Sequence, residues 1–248
     1  MPQVVSDNRV NVWCLPLLHR LDRGHVGEHD DVATASMLAM LSPDEKAVAA
    51  GLDSPERRQS YIAAHALLRT ILSRVTGIAP NELTFRYGRR GKPELAVPGA
   101  HNIQFNMAHS RDVVVVAVAH GRRVGVDIEH IDEPGDVRRI AARFLSPRDR
   151  DAIAELPAEH QRDAFLRCWT RKEAYMKARG DGVSRPLDDF EVSHAGAPAK
   201  LMNVAADPNE AERWELADLP APRGFMAALA VEGHGFEVVQ HMDLADVA

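Results

Sequence analysis

Residues 112–131 read DVVVVAVAHGRRVGVDIEHI. Two β-branched runs flank His120, Gly121 and Arg122, a pattern that predicts two strands joined by a tight turn, a hairpin. In the second run Val124, Val126 and Ile128 alternate with Gly125, Asp127 and Glu129, which is the period of a strand. Both acids therefore point to one face, about 6.5 to 7 Å apart along the chain. Such a pair can share a hard divalent cation, which takes oxygen ligands and keeps waters or phosphate oxygens in its shell. The solvent-facing side of an edge strand would carry the same two residues.

The pattern on either side sets the fold class. Residues 9–18 have strand character and residues 33–41 read as helix. Ser42, Pro43 and Glu45 form a helix start, and SPERRQSYIAAHALLRTILSRVTG (54–77) predicts a long amphipathic helix ending at Gly77. Short β-like segments, LTFRYG and IQFNMA, follow around the turn-rich GRRGKPELAVPGA. Beyond residue 131 a second helical block runs from 136 to 179, broken near Pro147 and Pro157. The segments DDFEVS, RWELADL, GFMAALAVE and FEVVQ then predict an antiparallel meander. Each half, 1–122 and 123–248, pairs a long helix with antiparallel strands, the order of an α+β protein and not of alternating βαβ units.

Composition narrows the class further. The chain has 248 residues, 45% hydrophobic and 27% charged, enough for one large domain or two with their own cores. A net charge of −6 lacks the global basic footprint of a nucleic-acid binder. The longest apolar run, Val113 to Ala119, is far short of the roughly 20 residues that span a bilayer. The N-terminal residues lack the charge order of a secretory signal, and Cys14 and Cys168 form no metal or disulfide spacing, so a cytoplasmic address is expected.

WTRKEAYMKARG (169–180) places the lone acid Glu173 among two lysines and two arginines. On a helix Trp169, Glu173 and Lys177 share one face. A surface Glu–Lys pair at this spacing contributes roughly 0.3 to 0.5 kcal/mol and is one reading. The other joins Glu173 to Asp127 and Glu129 as a metal site, with Lys172 and Lys177 taking the phosphate oxygens that a metal leaves over. GKPEL (91–95) and FNMAHS (105–110) then read as ligand loops, Gly91 allowing close backbone approach, Lys92 carrying charge and Pro93 fixing the turn. His109 is a candidate phosphate donor or an ordinary structural histidine. No HExxH, P-loop, GxGxxG or GxSxG motif is present. The arginine-rich stretch 137–150 is either a solvated helix face or a docking surface for an acidic partner.

In order, SPDEK, GKP, FNMAHS, GVDIE, FLSPRD and WTRKEAYMKARGDGVSRPL resemble the Sfp-type 4'-phosphopantetheinyl transferases, in their W/KEA subgroup. The resemblance implies a pseudo-dimeric α+β fold of two similar halves with coenzyme A between them, acting as a monomer. It also implies transfer of the phosphopantetheine arm to a serine of an apo carrier protein, releasing adenosine 3',5'-bisphosphate. Asp127, Glu129 and Glu173 resemble the ligands of Mg²⁺, for which Mn²⁺ could substitute. Glu173 is the expected base, and Lys177 the expected pyrophosphate contact. Gly91, Lys92 and Pro93 would line the adenine pocket, and His109 and Lys46 would meet the 3'-phosphate. His65 stands where many relatives carry Arg, Ala108 where Ser is common, and Asp149 where Glu is frequent. Competing expectations are a Mg²⁺-dependent pyrophosphohydrolase of nucleotide cofactors and a non-catalytic coenzyme A binding module.

Overall fold

In the computed structural model, which describes residues 8–17, 28–100, 102–132, 136–180, 182, 186–194 and 196–243, two β-sheets lie face to face between two long helices. The first sheet contains β1 (Arg9–Pro16), β4 (Ile103–Ser110), β5 (Val113–His120) and β11 (Glu237–His241), in the order β11-β1-β5-β4. The second contains β6 (Val124–His130), β9 (Trp214–Leu219) and β10 (Phe225–Glu232), in the order β6-β10-β9. Helix α3 (Pro55–Thr76) packs Leu68, Ile71 and Leu72 on Trp13, Val114, Val116 and Val118 of the first sheet. Between the sheets Val12, Val115 and Ala117 meet Val126, Ile128 and Leu229. Helix α6 (Ala158–Arg179) covers the outer face of the second sheet, with Ala174 and Ala178 beside Ala228 and Ala230. The architecture is α+β, with one long helix on the outer face of each sheet.

These layers explain the uniform apolar run of β5. Its alternate residues face α3 and the second sheet, so both faces are buried, and none of Val113 to Ala119 exceeds 4% exposure. They also overturn the hairpin. Both edges of β5 are already paired, with β1 and with β4, which leaves no edge for the strand that follows. The link at 121–123, with Gly121 at φ 66°, carries the chain to the other sheet, where β6 pairs with β10. The boundary drawn at 122/123 falls in this link.

The meander forms in part. The order β6-β10-β9 is antiparallel throughout, while β7 (Phe190–Val192) and β8 (Leu201–Val204) make a separate ribbon. The last strand leaves it: β11 returns to the first sheet and runs parallel to β1, covering an edge that would otherwise be open. The two motifs read as ligand loops are largely strand. GKPEL contributes β3 (Pro93–Leu95), paired with β2 (Phe85–Tyr87), and FNMAHS lies wholly within β4.

Helix boundaries follow their caps. Ser42 and Glu45 form the expected capping box on α2 (Pro43–Ala50), which follows α1 (Glu28–Met40). Gly77 ends α3 in the left-handed region at φ 74°. The block from 136 to 179 splits at its prolines into α4 (Val137–Phe144), α5 (Pro147–Ala154) and α6. Among the described residues no helix is long and apolar enough to cross a membrane.

One contact sets the distance between α6 and β6. A Cβ on Gly125 would lie 2.2 Å from the Ala174 carbonyl oxygen, 2.2 Å from the Ala178 nitrogen and 2.8 Å from the Ala178 Cα. All three are backbone atoms and cannot swing aside. Gly125→Ala is therefore expected to destabilise the protein by at least about 1 to 3 kcal/mol, read as a lowered urea midpoint. Gly51→Ala is the control: its Cβ meets nothing closer than 3.6 Å and its φ of −82° suits alanine, so its midpoint should hold or rise.

Candidate functional site between the two sheets

β6 pairs with β10 along one edge. Its other edge faces β4, where side chains take the place of a backbone ladder. The Val126 N–H donates to Asn106 Oδ1 at 2.9 Å and the His130 N–H to Ser110 Oγ at 3.1 Å. Lys92 donates from Nζ to the Val124 carbonyl at 2.9 Å and to the Ala178 carbonyl at 2.8 Å. Arg111 reaches across to the Asp132 carbonyl at 2.9 Å. The two halves are thus pinned together along the strand that carries Asp127 and Glu129.

Alternation along β6 places Gly125, Asp127 and Glu129 on the face that α6 covers. Asp127 is 4% exposed. Its Oδ1 accepts from Lys177 Nζ at 2.5 Å, while its buried Oδ2 has no hydrogen-bond partner. Burial drives the Asp127 carboxyl up to about 7; Lys177 pulls it down, and the charges of Glu129 and Glu173 push it up. Glu173, half-buried one turn before Lys177, is also raised by burial and lowered by Lys177. The three acids, far apart in the chain, share one electrostatic neighbourhood.

Two histidines complete this neighbourhood on the other half. His109 is exposed at the end of β4, yet the protein around it and then the Lys177 charge lower its imidazole. His65 on α3 stacks on Tyr61 with centroids 3.8 Å apart and sets Nδ1 2.9 Å from the Tyr61 carbonyl. Burial is the main cause of its lowered pKa, and the nearby His109 adds to it. A continuous set, His65, His109, Lys177, Asp127, Glu173 and Glu129, therefore runs across the seam between the halves.

Sequence comparison gives this arrangement a family. A model described as the 4'-phosphopantetheinyl transferase superfamily matches residues 123–230, and one described as 4'-phosphopantetheinyl transferase, N-terminal, matches residues 30–121. The chain is 34% identical over 236 residues to the 4'-phosphopantetheinyl transferase HetI of Nostoc sp., across 94% of this chain and 92% of that protein. The chain belongs to the 4'-phosphopantetheinyl transferase superfamily. It is also similar to the 4'-phosphopantetheinyl transferase Sfp of Bacillus subtilis, 28% identical over 155 residues, 62% of this chain and 67% of that one. The crystal structure of Thermotoga maritima holo-[acyl-carrier-protein] synthase (AcpS) aligns over 44% of this chain and 62% of its own with a TM-score of 0.37 and 21% identity.

Within this superfamily member not every expected ligand residue faces the site. Lys172 departs most. It is fully buried, its ammonium 2.7 Å from Asp149 Oδ2, and it donates to the carbonyls of Leu187, at 2.7 Å, and Phe190. One step along a helix turns a side chain by about 100°, so Lys172 cannot share the direction of Glu173. The Lys92 ammonium likewise points inward, to Val124 and Ala178, and burial lowers it to about 8. Gly91, at φ 87°, has open space where a side chain would stand, and Pro93 pairs with Tyr87 at the end of the β2–β3 ribbon. Lys46 is exposed on α2, next to Glu45, which is tied to the buried Arg69 at 2.7 Å.

The residues missed in the sequence are Asn106 and Ser110. Their signal was present: Gln104, Asn106, Ala108 and Ser110 are the alternate positions of β4 on the side of the second sheet, and three of the four are polar.

The donors of the acid cluster suit a hard divalent cation in part. Carboxylate oxygens are the right chemistry, and Asp127 Oδ2 is an orphaned buried oxygen in need of a cation or donor. Yet Lys177 holds the other oxygen of Asp127, and among the described residues no three His, Cys, Asp or Glu side chains stand together as a ready metal site.

Lys172→Met is expected to cost about 3 to 5 kcal/mol, because it strands the buried Asp149 charge. The double variant Lys172→Met with Asp149→Leu should recover part of that loss in urea denaturation. A single variant of unaltered stability would free Lys172 from this structural role and return it to the expected ligand residues.

Proposed function

We propose that this chain transfers the 4'-phosphopantetheine arm of coenzyme A to a serine of an apo acyl or peptidyl carrier protein, releasing adenosine 3',5'-bisphosphate. The observation that carries the reading is Asp127, a buried carboxylate with one oxygen unpartnered, coupled to Glu129, Glu173 and Lys177 at the seam between the halves. The family in which this site occurs supplies the reaction class.

Asp127, Glu129 and Glu173 would hold Mg²⁺, or Mn²⁺ in its place. When bound, the metal supplies charge neutralisation to the diphosphate and to the departing bisphosphate. Glu173 takes the proton of the carrier serine as its oxygen attacks the phosphorus of the arm and the phosphoanhydride bond breaks. Its raised affinity for a proton, the consequence of burial, makes it a better base than an exposed glutamate. Lys177 offsets negative charge on the diphosphate. His65 and His109, both with lowered pKa, offer neutral donors to the 3'-phosphate until that anion draws a proton onto them. Lys46 adds charge from α2, and the backbone at Gly91 to Pro93 borders the adenine.

The test is transfer of the arm to an apo carrier, followed by intact mass. Asp127→Ala and Glu173→Ala are each expected to lower kcat/KM about 10² to 10³-fold at saturating Mg²⁺. Near-normal rates in both variants would remove the site assignment. Without carrier, coenzyme A should stay intact, and rapid cleavage would favour a pyrophosphohydrolase.

The carrier surface we assign is α4. Arg138, Arg139 and Arg143 are exposed there, and Phe144 meets Trp169, one turn before Glu173, with centroids 5.9 Å apart. Opposite charge speeds the encounter with an acidic carrier. Reversing Arg138 and Arg139 to Glu should raise the KM for the carrier and leave that for coenzyme A unchanged; equal carrier KM values would rule α4 out.

A further inference from the structure

The acid cluster contains a built-in competitor for the cation it would bind. Lys177 Nζ lies 2.5 Å from Asp127 Oδ1, and its side chain is 31% exposed where that of Asp127 is 5% exposed. The ammonium thus enters the cluster from the open side. The backbone beneath it is fixed, because the next residue, Ala178, packs on Gly125 and has its carbonyl held by Lys92. Only the flexible four-carbon stem is free to move.

An ammonium on Asp127 and a dication on the same carboxylate repel each other at short range. While Lys177 stays, the cluster carries one compensating charge, held on Asp127. An anion with two or more charges on the solvent side offers the ammonium another partner. We propose that Lys177 is a coupling residue: it occupies Asp127 until a diphosphate draws its ammonium away, so that divalent cation binding depends on coenzyme A. This rests on the metal and coenzyme A reading given above. The dependence is reciprocal, the metal tightening coenzyme A by the same factor as coenzyme A tightens the metal.

The test measures Mn²⁺ binding by electron paramagnetic resonance of the free ion, without carrier protein, in the absence and presence of saturating coenzyme A. The wild-type protein should bind Mn²⁺ weakly alone and at least about tenfold more tightly with coenzyme A, within the usual range of coupling between sites. Lys177→Met should bind Mn²⁺ alone about tenfold more tightly than wild type, and the gain conferred by coenzyme A should shrink by a similar factor. Lys177→Gln, which keeps a polar end in the half-open site, should do the same if the Met variant folds poorly. A loss of positive charge acting only at a distance would shift both Mn²⁺ affinities together and leave their ratio unchanged, and that result overturns the proposal. So does equal or weaker Mn²⁺ binding by the variants alone. Asp127→Asn separates the two levels of inference. If wild type binds Mn²⁺ with coenzyme A, Asp127→Asn abolishes it and the Lys177 variants match wild type, only the coupling role falls. If wild type binds no Mn²⁺ even with coenzyme A, the metal site itself falls.

Discussion

The backbone of α6 rests directly on β6 at Gly125, and the rest of the site is a consequence of that contact. With no Cβ at this position the helix descends until the Ala174 carbonyl and the Ala178 amide fill the space a side chain would need. Ala228 and Ala230, opposite Asp127 and Gly125 on β10, keep the same face low. Two residues beyond the glycine, Asp127 therefore points into the helix at the height of Lys177, and Glu173 comes within range of both. A bulkier strand would hold the helix off, and the three acids would be separate surface charges.

The lysines near this contact divide by how completely their charge is satisfied. Lys172 lies in a closed cage with one carboxylate and two carbonyls, so it fastens α6 to α5 and to the residues that follow the helix. Lys92 comes from the other half and bonds the last turn of α6, where the helix dipole favours a positive charge, and the start of β6. Lys177 differs from both. Its carboxylate partner, like that of Lys172, keeps one buried oxygen without a hydrogen bond, but the Lys177 side chain is 31% exposed where that of Lys172 is fully buried, so Lys177 alone can exchange its partner for one in solvent.

Local order was legible in the sequence. The caps at Ser42 and Gly77 and the breaks at Pro147 and Pro157 are set by residues within one turn of themselves, and the structure places helix ends there. Strand partnership was not legible, because it depends on which edges remain open after distant strands have paired. The run 113–119 and the run 124–130 look like a hairpin until β1 and β4 are known to occupy both edges of the first. The direction of Lys172 was likewise hidden: its position beside Glu173 suggested a shared task, whereas Asp149, which decides its role, lies on another helix.

The seam explains why a site between two halves can have a fixed geometry without a shared sheet. A continuous backbone ladder from β4 to β6 would merge the two layers into one. Isolated apolar contact would let them slide, since such packing is not directional. Two side-chain hydrogen bonds, four residues apart along one edge, do neither. Asn106 binds the amide of Val126, the residue directly before Asp127, and Ser110 binds that of His130, directly after Glu129. Each acid is thus bracketed by an anchor from the opposite half, so the depth of the carboxylates is set by the same strand that carries His109. The halves hold the histidine and the acids in register, while the side chain of Lys177, which no such anchor restrains, is the movable charge among them.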